Sequence, residues 1–223
     1  MTGFDDARRK MVESQLKTED VTDRAVIAAM GDVPRERFVP AHLRDLAYID
    51  RDLRVRDAEG DAPARYLMEA APMARLFQLA EFRGDEFVLD VGTGTGYSAA
   101  VLARLAGSVV ALEPDEALAE QAAETLADLE ADNTVVEVSA LTDGYADEAP
   151  YDVIFVGGAV DEVPQALLDQ LRDDGRLVTV VGHGRAGRAT VFVRSGDVVG
   201  SRVAFDADVP PLPGFRKESA FTF

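Results

Sequence analysis

Cysteine is absent from this 223-residue chain. That excludes disulfides, thiolate metal sites and cysteine nucleophiles. Only His42 and His183 can offer imidazole, and they lie far apart in sequence, so no metal centre is expected. No apolar run reaches the length of a membrane-spanning helix. The first residues, Met1 to Asp6, lack the basic and apolar stretches of a signal peptide. A cytoplasmic protein with no membrane partner is the expectation. Positive charge is also scarce: 23 Lys and Arg stand against 41 Asp and Glu, a formal charge of −18. Such a surface repels phosphate backbones and argues against nucleic acid as substrate or partner. The acids are spread along the whole chain, which reads as a solubility or salt-tolerance surface.

Apolar residues make up 47% of the chain, enough for a packed core. The length suits one α/β domain with an appendage. Residues 1–80 read as a mostly helical cap ending in a loop, and residues 81–223 as a nucleotide-binding α/β unit. In the cap, helical spacing covers Asp6 to Leu16, and Asp23 to Met30 with Thr22 as N-cap. Arg35 to Val39 forms a connector between Pro34 and Pro40, with Arg35 and Arg37 structural. Asp50 to Arg65 has no periodicity and reads as a loop. Helical spacing returns from Tyr66 to Leu79, with Ala70-Ala71-Pro72 as an alternative start. From residue 87, strand-length apolar runs alternate with helices, the pattern of parallel βαβ units. Strands are expected at Phe87–Val91, Ser108–Leu112, Val135–Ser139, Asp152–Val156 and Arg176–Val181. Helices are expected at Tyr97–Leu105, Asp115–Glu130 and Val163–Arg172. Ala189–Arg194 and Val198–Phe205 read as a terminal antiparallel hairpin.

The first strand runs into Asp90-Val91-Gly92-Thr93-Gly94-Thr95-Gly96-Tyr97. Glycines at alternate positions allow a tight bend and a close approach to a ligand, and the next helix starts immediately after. Asp90 can hold the loop or meet a cationic amino group. Glu113 ends the second strand, 21 positions after Gly92, where an acid grips ribose hydroxyls in such folds. A dinucleotide fingerprint needs glycine at its sixth position, and here that position is Tyr97. The Gly-x-Gly-x-Gly pattern instead resembles motif I of the class I methyltransferases. Resemblance to that class implies S-adenosyl-L-methionine as cofactor and a Rossmann-like, mostly parallel sheet with helices on both faces. Its sulfonium is cationic, which agrees with an acidic crevice.

Several segments are similar to the protein-L-isoaspartate O-methyltransferase family. They are Met11-Val12-Glu13-Ser14-Gln15-Leu16, Val33 to Pro40, Leu46-Ala47-Tyr48, Val91 to Val101, Ala149-Pro150-Tyr151-Asp152 and Leu171 to Gly182. The resemblance implies methylation of a carboxylate on damaged aspartyl residues of a protein or peptide, a repair step. It also implies a substrate loop at Tyr66 to Pro72. There the family carries a serine where this chain has Ala70, and only the proline is kept. Catalytic residues are therefore unassigned, with Glu69 and Arg65 as candidates. Glu69 contacts the cofactor's amino group or the acceptor, or is a first-turn helix acid. Arg65 offsets Glu69 and meets a carboxylate with its fork, or pairs with one of the nearby acids. The family's adenine-binding aspartate is missing too: Ser139-Ala140-Leu141 stands there, leaving backbone amides, Leu141 packing or Thr142 for that contact. Cofactor-binding residues are expected to be Asp90, Gly92, Thr93, Gly94, Thr95, Gly96, Tyr97, Glu113, Ala140, Leu141 and Gly157. Tyr97 packs on the cofactor's methionine portion or covers the helix start. Gly157-Gly158-Ala159 leaves room for the methyl group and its acceptor, or makes a tight turn. Two alternatives stand beside the repair enzyme: a methyltransferase of altered specificity, small molecules included, and a cofactor-binding homologue with a regulatory or scaffold role.

Overall fold

The computed structural model describes residues 3–60 and 62–216. Helix α1 (Gly3–Met11) runs on into a π-helical turn at Val12–Leu16, and α2 (Arg24–Asp32) buries Val26, Ala29 and Met30. Asp23, not Thr22, caps α2: its carboxylate accepts from the Ala25 and Val26 N–H groups at 2.8 and 3.1 Å. The Thr22 N–H instead donates to Gln78 Oε1 at 2.7 Å. A 3₁₀ turn at Arg35–Phe38 follows.

The stretch expected to be loop holds a small antiparallel ribbon, β1 (Leu53–Arg56) against β2 (Arg65–Leu67). Four and three residues are too few for period-2 alternation to stand out among so many charges. Because 65–67 go into that ribbon, helix α3 begins at Ala70 and runs to Leu79, with Pro72 in its first turn.

The α/β unit follows the expected order. It contains β3 (Phe87–Val91), α4 (Tyr97–Leu105), β4 (Ser108–Leu112), α5 (Glu116–Asp128) and β5 (Thr134–Glu137). Then come β6 (Tyr151–Val160), α6 (Gln165–Asp169), β7 (Leu171–Val181), β8 (Arg188–Ser195) and β9 (Val198–Asp206). Asp115 caps α5 by accepting from the Leu118 N–H at 3.0 Å. The sheet order is β5-β4-β3-β6-β7-β8-β9, parallel through β7 and antiparallel in the β8–β9 hairpin.

Several elements depart from the expected bounds: β5 ends at Glu137, not Ser139, β7 starts at Leu171, not Arg176, α6 is shorter and β6 longer. Helix α6 ends at Asp169 because Leu171 already pairs with Tyr151 on β6. Strand β6 extends past Val156 because Ala159 and Val160 resume pairing with β7 beyond an irregularity.

Strand alternation divides the core into two. Val88, Val153 and Phe155 face the cap, α3 and α4. Leu89, Val91 and Ile154 face the other side, with Leu141, Leu212 and Phe215. The segment 209–215 straps onto the end of β6: the Ala159 N–H donates to Pro210 O and the Leu212 N–H to Ala159 O, both at 2.9 Å.

Candidate cofactor and acceptor site

In open α/β sheets ligands bind beside the point where the strand order reverses. The connection from β3 leads to β4 on one side, while β6 flanks β3 on the other. The carboxyl ends of β3, β4 and β6 therefore mark the switch point, where a crevice is the candidate site. The turn from β3 to α4 lines it. Gly92, Gly94 and Gly96 have φ of 86°, 58° and 93°, left-handed values that side chains resist. Space is as tight as the backbone: a Cβ on Gly92 would lie 2.5 Å from Leu212 Cδ1, and one on Gly96 would lie 3.0 Å from Ala122 Cβ. Gly157 packs against the same turn, its missing Cβ 3.5 Å from the Gly92 and Val91 carbonyl oxygens.

Two buried carboxylates stand beside the turn. Asp90 accepts from Ser98 Oγ at 2.7 Å through Oδ2, while its Oδ1 has no hydrogen-bond partner. Burial pushes this carboxyl up to about 7, and the charge of Glu113 adds to the rise. An unpaired buried acceptor beside a second acid suits a cationic amino group. Glu113 is fully buried at the end of β4. Its Oε2 accepts from the Gly94 N–H at 2.9 Å and from Arg65 Nη2 at 2.7 Å. Its Oε1 accepts from Arg65 Nη1 and, at 3.3 Å, from the Asp115 N–H.

Arg65 thus does not offset Glu69, as the sequence had allowed. Glu69 occupies the N-cap position of α3 without making a side-chain cap bond, and its N–H donates to Asp52 Oδ1 at 2.8 Å. Its carboxyl is pushed up to about 7 by burial first, then by the hydrogen bond and charge of Asp50, with Asp52 and Glu19 adding. Ala70, the next residue, is buried.

Of the other expected residues, Thr95 turns away from the crevice, its hydroxyl donating to Phe38 O at 2.7 Å. Thr93 Oγ1 lies 3.4 Å from Ser98 Oγ. Tyr97 does not face the crevice either. It is completely buried under the cap, with the Phe38 ring edge-on at 5.4 Å and the Arg35 guanidinium 4.8 Å from its ring centre. Its ring covers the start of α4. Leu141 is buried in the cluster that contains Leu212, while Ala140 is exposed. His183 is part-buried and lies 2.5 Å from Asp161.

Two features escaped the sequence reading. Arg35 was read as packing only, yet it is fully buried and donates to the Ala47 and Met68 carbonyls at 2.8 and 2.5 Å. It so ties the loop before α3 to the cap. An arginine between Pro34 and Phe38 was the available signal. The second is a cavity of about 350 Å³ between Pro63, Ala64 and Tyr66 on one side and Pro211, Leu212 and Gly214 on the other. It adjoins the residues on either side of Arg65.

A Gly-x-Gly-x-Gly turn, an acid closing the neighbouring strand and a 5-4-3-6-7 parallel order define a class I S-adenosylmethionine-dependent methyltransferase. Comparison with known proteins narrows this. The family described as protein-L-isoaspartate(D-aspartate) O-methyltransferase matches residues 6–206. Protein-L-isoaspartate O-methyltransferase 1 of Syntrophobacter fumaroxidans is 41% identical over 196 residues, 88% of either chain. The Methanoculleus marisnigri enzyme is 42% identical, over 78% of this chain and 77% of its own. A solved protein-L-isoaspartate O-methyltransferase superposes with a TM-score of 0.79 at 25% identity, covering 93% of this chain and 66% of that one. A Plasmodium falciparum homologue solved with S-adenosyl-L-homocysteine shares the fold, with a TM-score of 0.75 at 20% identity. It covers 92% of this chain and 97% of that one. The chain belongs to the protein-L-isoaspartate(D-aspartate) O-methyltransferase family, whose members are enzymes using S-adenosylmethionine as methyl donor. Among the described residues no helix is long and apolar enough to cross a membrane.

Proposed function

We propose that this chain transfers a methyl group from S-adenosylmethionine to the free carboxylate of an isoaspartyl or D-aspartyl residue in a protein or peptide. The observation that carries the reading is Glu113, a buried carboxylate closing β4 and bonded to the Gly94 N–H of the left-handed turn. The bound cofactor supplies an electrophilic methyl on a cationic sulfonium. Glu113 accepts from the ribose hydroxyls, and Asp90 Oδ1, free of partners, takes the ammonium. Leu141 packs on the base beside the backbone of Ala140. Gly92 and Gly157 let the chain approach closely beside the reacting region, with Leu212 packed over Gly92. The acceptor is ionised at neutral pH and needs no general base, so the protein's task is to hold it in line and exclude water.

A second reading, a methyltransferase of altered acceptor preference, is favoured by Ala70 at the family's serine position and by the acidic surroundings of Glu69. Calorimetric titration with S-adenosylhomocysteine, followed by methyl transfer to an isoaspartyl peptide and its ordinary aspartyl twin, separates the two. Binding with transfer to the isoaspartyl peptide alone is expected. Binding without transfer to either peptide would favour the second reading, or a homologue that binds cofactor without turning over. No binding would reject all three.

A further inference from the structure

We propose that Arg65 takes the acceptor's carboxylate, and that Glu113 holds Arg65 in reserve until the cofactor's ribose displaces it. This deepens the function proposed above and rests on it.

The Arg65–Glu113 pair is bidentate, with Nη1 donating to Oε1 and Nη2 to Oε2. The Glu113 side chain is 0% exposed and that of Arg65 9%, so neither charge is hydrated. Glu113 has its Oε atoms filled by the fork and by the Gly94 and Asp115 N–H groups. Ribose hydroxyls can therefore reach this carboxylate only by taking the place of the guanidinium. The exchange frees a buried cation. A buried charge parted from its partner is strongly unfavourable unless another counter-ion arrives. Glu113 is the carboxylate that the salt bridges assign to Arg65 among the described residues. The acids nearest Glu69 bond and crowd one another instead.

The replacement anion is the substrate's. Arg65 lies on β2, five positions before Ala70, where the family's serine hydroxyl is missing. Its neighbours Ala64 and Tyr66 line the cavity under the 209–215 strap. A planar fork released there matches a carboxylate in two parallel hydrogen bonds and supplies charge where alanine supplies nothing. Cofactor and acceptor then promote each other's binding, since each relieves the vacancy the other leaves. Such coupling is reciprocal.

The experiment measures the S-adenosylhomocysteine dissociation constant with and without a saturating isoaspartyl peptide, in the wild type, Arg65→Ala and Arg65→Lys. In the wild type the peptide should tighten binding by roughly tenfold, within the usual range of such couplings. A control peptide with an amide in place of the carboxylate should do nothing. Arg65→Ala should bind S-adenosylhomocysteine more tightly than the wild type when peptide is absent, lose the peptide effect, and show a raised peptide KM that added guanidinium lowers. Arg65→Lys should keep part of the coupling. A role in folding alone would weaken both ligands and ignore guanidinium. Equal affinities in wild type and Arg65→Ala, or tightening that survives the alanine, would overturn the inference while leaving the methyltransferase reading intact. Failure of the wild type to bind S-adenosylhomocysteine at all would defeat that reading first.

Discussion

Asp90 and Glu113 are both buried acids beside the same turn, yet they are satisfied in opposite ways, and that difference sets what each should do. Glu113 has a full set of donors, so its loss removes charged hydrogen bonds. Glu113→Gln should weaken S-adenosylhomocysteine binding by about 1.5–3 kcal/mol, the span of a charge-assisted bond, read by calorimetry. Unchanged affinity would mean the ribose lies elsewhere. Asp90 keeps one oxygen unpaired, and its carboxyl is raised from 3.8 to about 7. The fold holds this proton more tightly than the unfolded chain does. The stabilising contribution is complete below the unfolded value and is lost as pH rises through about 7. Denaturant titrations should show Asp90→Asn gaining on the wild type as pH rises from about 4 to about 8. Ligand binding should run the other way. Wild-type affinity for S-adenosylhomocysteine should climb as Asp90 ionises through about 7 and meets an ammonium, and in Asp90→Asn it should be flat. Both acids were legible in the sequence because their positions relative to the glycines are set by the fold. Arg65's partner was not, since a contact spanning 48 positions has no local signature.

At the level of elements, strands β3 and β4 and helix α4 begin and end where the hydrophobic pattern places them. Each is a short buried run bounded by glycine, serine or an acid. The pattern failed where tertiary pairing decided the matter: β1 and β2 are too short to alternate visibly, and α6 gives up its last turn to β7. The cap is joined to the turn by Thr95 and to the loop before α3 by Arg35, contacts that periodicity does not encode. Arg35→Ala removes donors from two buried carbonyls, Ala47 and Met68. It should cost about 2–6 kcal/mol, counting about 1–3 for each orphaned carbonyl. For a chain of this size that is a fall in Tm of about 4–24 °C by differential scanning calorimetry. A variant melting with the wild type would show that the cap holds the loop by packing alone.

The whole molecule carries −18 charges on 223 residues, with acids dispersed over both the cap and the α/β unit. Mutual repulsion opposes compaction, and added salt screens it. Tm should therefore rise from low salt to molar potassium chloride, and a flat or falling profile would show that the ion pairs outweigh the repulsion.

The strap has a consequence in time as well as in space. Leu212 rests on Gly92 and Gly158, yet it is 120 positions downstream of that first glycine. At ordinary elongation speeds of about 5–20 residues per second, the glycine turn leaves the ribosome roughly 6–24 s before the leucine that covers it. Nascent chains arrested before Val209 should accordingly release S-adenosylhomocysteine faster than the finished protein. Matching off-rates on stalled ribosomes would deny the leucine any part in retention.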